Sequence, residues 1–472
     1  MTDLAHGWVL GIDLGTSYVK VVACGVNEQM ARASSTARAP RALISSEHRQ
    51  LFLRPSLYWA AVSESVRGVT RIASSTMGAC LGVAVSGITP TLTVFDLTSP
   101  DLGFAAPYWL PADPCHPGVR PSTNPKDRHH LTQARFYTLD RFARSRGVRN
   151  RGVTDLVGYV NFRLTGRLSI NSIAAAELGC STAGGQLESF SARAEWPTSG
   201  PPAEILGGLS PLAARDLDLR SGTPVCYGAP DTVASIVGSG AHKISDRMLY
   251  LGTFGSLLEL RRGVSSILSL SPMPTVPYVW QVSVPRMGPT IERYARRFLP
   301  GSAASQRLQA FDATADRAPF GANSRILLLP RWAPGVGEYG RYRFVGCEKA
   351  NNDVGSKARA ILEALGYAIR SDGVLDNEEA NIWAAGGGAS SEVWLQSVAT
   401  VIGQHIRTRS SARGASGTAA IARRALDPFS PAAPAGDTLI HPMPCARACI
   451  ENNVCSARER YEASRSRRSV DG

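Results

Sequence analysis

The chain has 472 residues, 44% of them hydrophobic and 19% charged, which is too long for one ordinary domain and long enough to bury two cores. No apolar run approaches the roughly 20 residues of a membrane span, and Met1 to Gly11 carries no cationic stretch ahead of an apolar core, so a cytoplasmic protein without membrane contact is expected. The excess of 51 Lys and Arg over 38 Asp and Glu gives +13, but it is diffuse and almost wholly arginine, which argues against a built nucleic-acid face. Its densest part, Gln404 to Leu426, holds Arg407, Arg409, Arg413, Arg423 and Arg424 with no acid and reads as a solvated surface. Nine scattered cysteines form no disulfide framework, and Cys445, Cys449 and Cys455 lack the spacing of most zinc sites.

In chain order, Trp8 to Val22 is two apolar, β-branched runs around Asp13-Leu14-Gly15-Thr16-Ser17, which predicts a β-hairpin. Strands are expected at Leu81 to Ser86 and Leu92 to Asp96. The segment Gly228-Ala-Pro-Asp231 is a turn ahead of an apolar helix, and a domain boundary is expected between Gly238 and Lys243. Met248 to Leu260 repeats the first pattern, an apolar run on either side of a Gly-Thr turn, about half a chain later. Such a repeat would arise if each domain began with the same supersecondary unit. Further strands are predicted at Arg325 to Leu329 and Asn381 to Ala385, and helices over Ser356 to Ile369 and Ser391 to Ile402, whose apolar residues share one face. Alternating strands and helices imply α/β architecture. The expected domains are 1–241 and 242–430, followed by an extension, 431–472, that ends in a frayed polar tail.

Turns rich in Gly, Ser and Thr offer backbone N–H and hydroxyl donors to a phosphate chain. Gly15, Thr16 and Ser17 fit that use, as do Gly252 and Thr253. Asp13 adds a carboxylate suited to Mg²⁺, and Lys20 a positive partner; the plainer alternative is a tight hairpin with a solvated acid. Gly386, Gly387 and Gly388 lie between a predicted strand and a predicted helix, where backbone can approach a nucleotide closely or simply turn the chain. Asp231 opens a helix, either as an N-cap or as a general base for phosphoryl transfer.

Together these motifs resemble those of the FGGY family of carbohydrate kinases. Gly11-Ile-Asp13-Leu-Gly15-Thr16-Ser17, Val85-Ser-Gly-Ile-Thr89-Pro90, Phe162-Arg-Leu-Thr-Gly166, Gly228-Ala-Pro-Asp231, Gly252-Thr-Phe-Gly-Ser256, Ala364 to Arg370 and Gly386 to Gln396 occur in the family's order, covering about residues 8 to 425. The resemblance implies two ribonuclease-H-like domains of the actin and sugar-kinase type flanking an ATP and substrate cleft. It also implies ATP and Mg²⁺ as cofactors and a sugar or polyol as the small-molecule partner, with a homodimer left open. By matching position, Asp13 would place the metal, and Gly15, Thr16, Ser17, Lys20, Gly252 and Thr253 would face the phosphates. Gly386, Gly387 and Gly388 would line the adenosine, and Asp231 would be the catalytic base. The substrate side departs from the pattern. Ile88-Thr89 stands where xylulose kinases usually carry Gln, and only Trp109 and Asp113 loosely meet a Trp-Asp-Arg element, so Thr89, Trp109 and Asp113 are the substrate candidates without naming the sugar. Asn171 replaces a usual Asp, in an expected structural role, and Pro334 to Glu338 replaces a Gly-Glu-Arg element. The alternative is a catalytically degenerate, actin-like nucleotide-binding or regulatory protein.

Overall fold

The computed structural model describes residues 7–26, 31–40, 43–44, 51–107, 128–178, 194–269, 276–284, 287–320, 327–331, 341–345, 353–375, 380–409, 414–427, 437–446 and 450–451. The chain divides into two compact units. Unit 1 is Met1–His242, Arg262–Pro277 and Arg413–Pro434; unit 2 is Lys243–Arg261, Tyr278–Ala412 and Ala435–Gly472.

Unit 1 is built on Trp8–Leu14, whose seven residues are all buried. It pairs antiparallel with Tyr18–Gly25, as the hairpin pattern predicts, and parallel with Cys80–Gly87. The sheet runs Ile205–Gly208, Pro224–Cys226, Cys80–Gly87, Trp8–Leu14, Tyr18–Gly25, Ala31–Arg38, with Ala229–Pro230 also pairing to Cys80–Gly87. Pro55–Met77 packs on one part of it, and Trp8, Leu10, Ile12, Val62, Val66 and Val85 belong to one core. A second core holds Leu92, Val94, Phe104, Phe136 and Leu139, around a three-stranded sheet of Gly103–Pro107, Thr91–Asp96 and Arg151–Asp155.

Unit 2 repeats the central part of this plan. Arg247–Leu251 pairs antiparallel with Gly255–Leu260 and parallel with Ile382–Ala385. The sheet runs Thr438–Ile440, Ile406–Thr408, Ile382–Ala385, Arg247–Leu251, Gly255–Leu260, Tyr278–Val284. In both units the first two strands of that order are antiparallel and the next pairings are parallel, parallel, antiparallel, antiparallel. The faint sequence repeat of two Gly-Thr hairpins is therefore the visible part of a duplicated arrangement of strands, which differs at one edge: Ile205–Gly208 precedes its neighbour Pro224–Cys226 in the chain, whereas Thr438–Ile440 follows its neighbour Ile406–Thr408. The predicted helices form as Val354–Ser371, capped by Asp353, and Glu392–Ile402, capped by Ser391.

Two expectations need correction. Residues 414–426 were placed with the second domain, but the Gly414–Leu426 helix packs on Trp8–Leu14, Cys80–Gly87 and the Asp231–Ser239 helix of unit 1. Its Gly/Ala surface explains the contact: a Cβ on Gly11 would lie 2.3 Å from the Ala415 carbonyl, and one on Gly417 only 1.8 Å from that of Ala234. The arginine-rich stretch is also not simply a solvated surface. Arg423 is buried, Arg407 reaches Asn381 Oδ1 and Asp437 Oδ2 at 3.0 and 2.6 Å, and Arg409 lies over the Trp383 ring. Most of 431–472, with Cys449 and Cys455, lies outside the described residues, as does Pro334 to Glu338.

One carboxylate anchors the loops beside the smaller sheet. Asp96 Oδ1 accepts from Thr98 N, Thr98 Oγ1 and Ser99 N, and Oδ2 from Arg149 N and Asn150 N. Burial pushes this carboxyl up, yet the donated hydrogen bonds outweigh it and hold it at about 2. A depressed carboxyl stabilises the fold above its ordinary value and loses that effect as pH falls through the folded value. Asp96→Asn should therefore cost roughly 2 kcal/mol at pH 7, with the gap to wild type closing between pH 4 and pH 2 in urea unfolding. Gly417→Ala should destabilise by about 2 kcal/mol or more through overpacking, read in the same assay at neutral pH.

Candidate active site

Three strand ends in unit 1 converge on one place. Asp13 stands opposite Ser86 in the parallel pair of Trp8–Leu14 with Cys80–Gly87. Ser86 and Gly87 in turn stand opposite Ala229 and Pro230, directly before Asp231. The carboxyl ends of parallel strands are where α/β sheets hold ligands, because loops there diverge and helix N-termini point inward.

Asp13 is 7% exposed. Its Oδ1 accepts from Ser86 Oγ at 3.1 Å, and Ser86 Oγ lies 2.6 Å from Thr418 Oγ1. Burial pushes its carboxyl up, opposed by the positive charge of Lys20 and by the Ser86 hydrogen bond. Lys20 faces Asp13 directly across the hairpin, so it partners this carboxylate as well as flanking the turn. In that turn Gly15 N donates to Tyr18 O at 3.0 Å, and Thr16 and Ser17 are exposed.

Asp231 is the first residue of the Asp231–Ser239 helix, and Pro230 occupies the cap position. The N-cap alternative for Asp231 is thus not what forms. Its Oδ1 instead accepts from Thr232 N at 2.7 Å. Burial, then the charges of Asp13 and Glu177, raise its carboxyl to about 8. Glu177 ends the buried Ser172–Glu177 helix, which packs on Ala229–Pro230. It also adds to the burial that lifts Asp155 to about 7. Asn171, as expected, is structural: its Oδ1 caps that helix by accepting from Ala174 N. Thr89 is buried just beyond the Cys80–Gly87 strand end. Trp109 and Asp113 lie outside the described residues.

In unit 2 the glycines gather at the matching strand ends. Gly252 and Thr253 form the turn of the second hairpin, where Gly252 N donates to Phe254 O at 2.9 Å and Gly288 N to Gly252 O at 3.1 Å. Tyr250 pairs with Ala385, so Gly386 follows beside that turn. Gly386 has φ 93° and a Cβ there would lie 2.5 Å from Leu251 O, so only glycine fits. Gly387 and Gly388 form a short 3₁₀ turn leading to the Ser391-capped helix, with Gly388 against the Trp394 ring. Gly387 is exposed.

The structure thus joins Asp13, Lys20 and Asp231 in one unit and Gly252, Thr253, Gly386, Gly387 and Gly388 in the other. Sequence reasoning missed Glu177 and Thr418. The spacing of Ser86 from Asp13 across 73 residues and from Thr418 across 332 leaves no local signature.

No protein-family model and no curated protein sequence matches the chain. Among solved structures, the chain is similar over nearly its whole length to a xylulose kinase from Rhodospirillum rubrum, at 19% identity with a TM-score of 0.72, covering 97% of this chain and 98% of that one. A gluconate kinase from Lactobacillus acidophilus gives 20%, 0.72, 97% and 98% in the same order. A Plasmodium falciparum glycerol kinase with ADP gives 12%, 0.70, 96% and 98%. At such identities the likeness establishes the fold alone, the two-domain α/β architecture of these sugar kinase structures.

A carboxyl raised in the folded state supports stability below its ordinary value of about 4 and loses that support as pH climbs toward the folded value. Asp231→Asn, which cannot ionise, should therefore be more stable than wild type at pH 8 to 9, by roughly 1 kcal/mol after allowance for partial exposure. Thermal melting at pH 4 to 5 should show the two nearly equal.

Proposed function

We propose that the chain is an ATP-dependent kinase that phosphorylates a hydroxyl group of a sugar, ketose or polyol, with Asp231 as general base. The observation that carries this reading is the pair of carboxylates, Asp13 and Asp231, one on and one directly after the two strands that flank Cys80–Gly87. They occur in a fold shared along the chain with xylulose, gluconate and glycerol kinases.

In this reading the Asp231 carboxylate accepts the proton of the acceptor hydroxyl as that oxygen forms its bond to the γ-phosphorus and the bond to the ADP oxygen breaks. A carboxyl lifted to about 8 by burial and by the charges of Asp13 and Glu177 is a far better proton acceptor than an ordinary one. The Asp13 carboxylate, a hard oxygen donor with Oδ2 facing the bare backbone of Gly414, suits Mg²⁺ held directly or through water. Bound there, Mg²⁺ would offset charge on the phosphates. Gly15, Thr16, Ser17 and Lys20, with Gly252 and Thr253, are the proposed phosphate donors, and Gly386, Gly387 and Gly388 the nucleotide-side backbone. Thr89, Trp109 and Asp113 are the proposed substrate side. In this reading the domain division near 241–242 is kept, with 262–277 and 413–434 assigned to the first domain. The rival, nucleotide binding without transfer, has no observation of its own in its favour.

The test is ADP release from ATP and Mg²⁺ over a panel of pentuloses, hexuloses, aldonic acids and polyols. One compound should give a signal that Asp231→Asn lowers by about 10²- to 10⁴-fold while ADP binding persists. Near-normal turnover in that variant would sink the assignment, and ADP binding with silence on every acceptor would favour the rival. Because only the ionised base accepts a proton, kcat/KM should climb with pH from 6 toward about 8 and then level off. An acid limb at pH 4 instead would show that Asp231 is not raised in the working enzyme.

A further inference from the structure

We propose that Thr418 is a positioning residue for Asp13, acting through Ser86 and supplied by the returning C-terminal segment of the chain. The ligand part of this proposal rests on the kinase reading; the geometric part does not. Ser86 and Thr418 are fully buried and Asp13 nearly so. Ser86 has one hydroxyl proton, and it goes to Asp13 Oδ1, the only one of its two partners here that cannot donate when ionised. With that proton spent, the Thr418 hydroxyl has one proton for two acceptors, Gly414 O at 2.8 Å and Ser86 Oγ at 2.6 Å, and shares it between them.

The same helix confines the other carboxylate oxygen. A Cβ on Gly414 would lie 2.6 Å from Asp13 Oδ2, so the bare backbone of the helix start abuts this oxygen. The Thr418 hydroxyl is itself anchored on this turn, since it donates to Gly414 O. One turn of helix thus governs both oxygens of Asp13: Oδ1 through Thr418 and Ser86, and Oδ2 through Gly414. Thr418 is not itself a ligand in this scheme. It holds Ser86 in the rotamer that aims its proton at Asp13, and so keeps Asp13 in a single orientation toward the strand-end site.

The decisive comparison is Thr418→Val, which keeps the shape and deletes the hydroxyl, against Thr418→Ser, which keeps the hydroxyl and deletes the methyl. Crystal structures of wild type and both variants should show Asp13 within hydrogen-bond reach of Ser86 in wild type and Thr418→Ser, and released from it in Thr418→Val. In the ADP-release assay, Thr418→Val should raise the Mg²⁺ concentration for half-maximal rate by about 10-fold. Thr418→Ser should stay within about 2-fold of wild type, and calorimetric titration with Mg²⁺–ADP should give the same order. An unmoved Asp13 with unchanged Mg²⁺ dependence in Thr418→Val overturns the proposal. So does Thr418→Ser behaving like Thr418→Val, since packing of the methyl group would then be the cause. If wild type neither binds Mg²⁺–ADP nor releases ADP, the kinase reading fails, and the Asp13 density in the two variants alone decides whether Thr418 positions it.

Discussion

Unit 1 depends on backbone meeting backbone. The Gly414–Leu426 helix lies so close to Trp8–Leu14 and to the Asp231–Ser239 helix that no side chain could stand between them at Gly11 or Gly417. Glycine inside a helix costs about 1 kcal/mol in conformational freedom, so a helix that carries one in its second turn spends stability on approach distance. What it gains is precision. Asp13 lies on the strand and Asp231 opens the other helix, and both are fixed relative to a third element that touches each directly.

That precision matters because the carboxylates resist being together. Asp13 and Glu177 both raise Asp231, and Glu177 also raises Asp155, on top of the burial that affects each. Left to itself such a cluster would splay apart or swing into water. Strand pairing on both sides of Cys80–Gly87, the helix that packs Glu177 on Ala229–Pro230, and the Thr232 and Ser86 hydrogen bonds keep it closed. Burial, with that repulsion added to it, is what makes Asp231 basic, so the stability lost to burial and crowding reappears as proton affinity at its carboxylate.

The hairpins, the strand ends and the two amphipathic helices were legible because each is local: a period, a turn and a cap written within a few residues. The site was legible as far as Asp13 and Asp231, whose neighbours in sequence advertise a turn. Thr418 was not, because the Gly/Ala-rich pattern around it says that a helix is buried without saying against what. For the same reason its domain was misassigned. The arginine-rich stretch misled in the opposite direction, since composition cannot distinguish a guanidinium in solvent from one paired with Asp437, stacked on Trp383 or, like Arg423, sunk into a core.

The duplicated sheets sharpen the functional argument. The two units share pairing sense and, apart from one edge strand, strand order, so the central strand ends are equivalent places in equivalent scaffolds. Their chemistry is not equivalent. Unit 1 puts Asp13 and Asp231 at its strand ends, whereas the described ends in unit 2 carry Gly252, Gly386, Gly387 and Gly388. An acid cluster suits proton acceptance and a cation but repels a bare polyphosphate; a glycine turn offers N–H donors and close approach but no base. The first hairpin of unit 1 combines the two, with Gly15 in the turn directly after the strand that carries Asp13, and Lys20 opposite that acid offsets part of the charge that a phosphate would meet there.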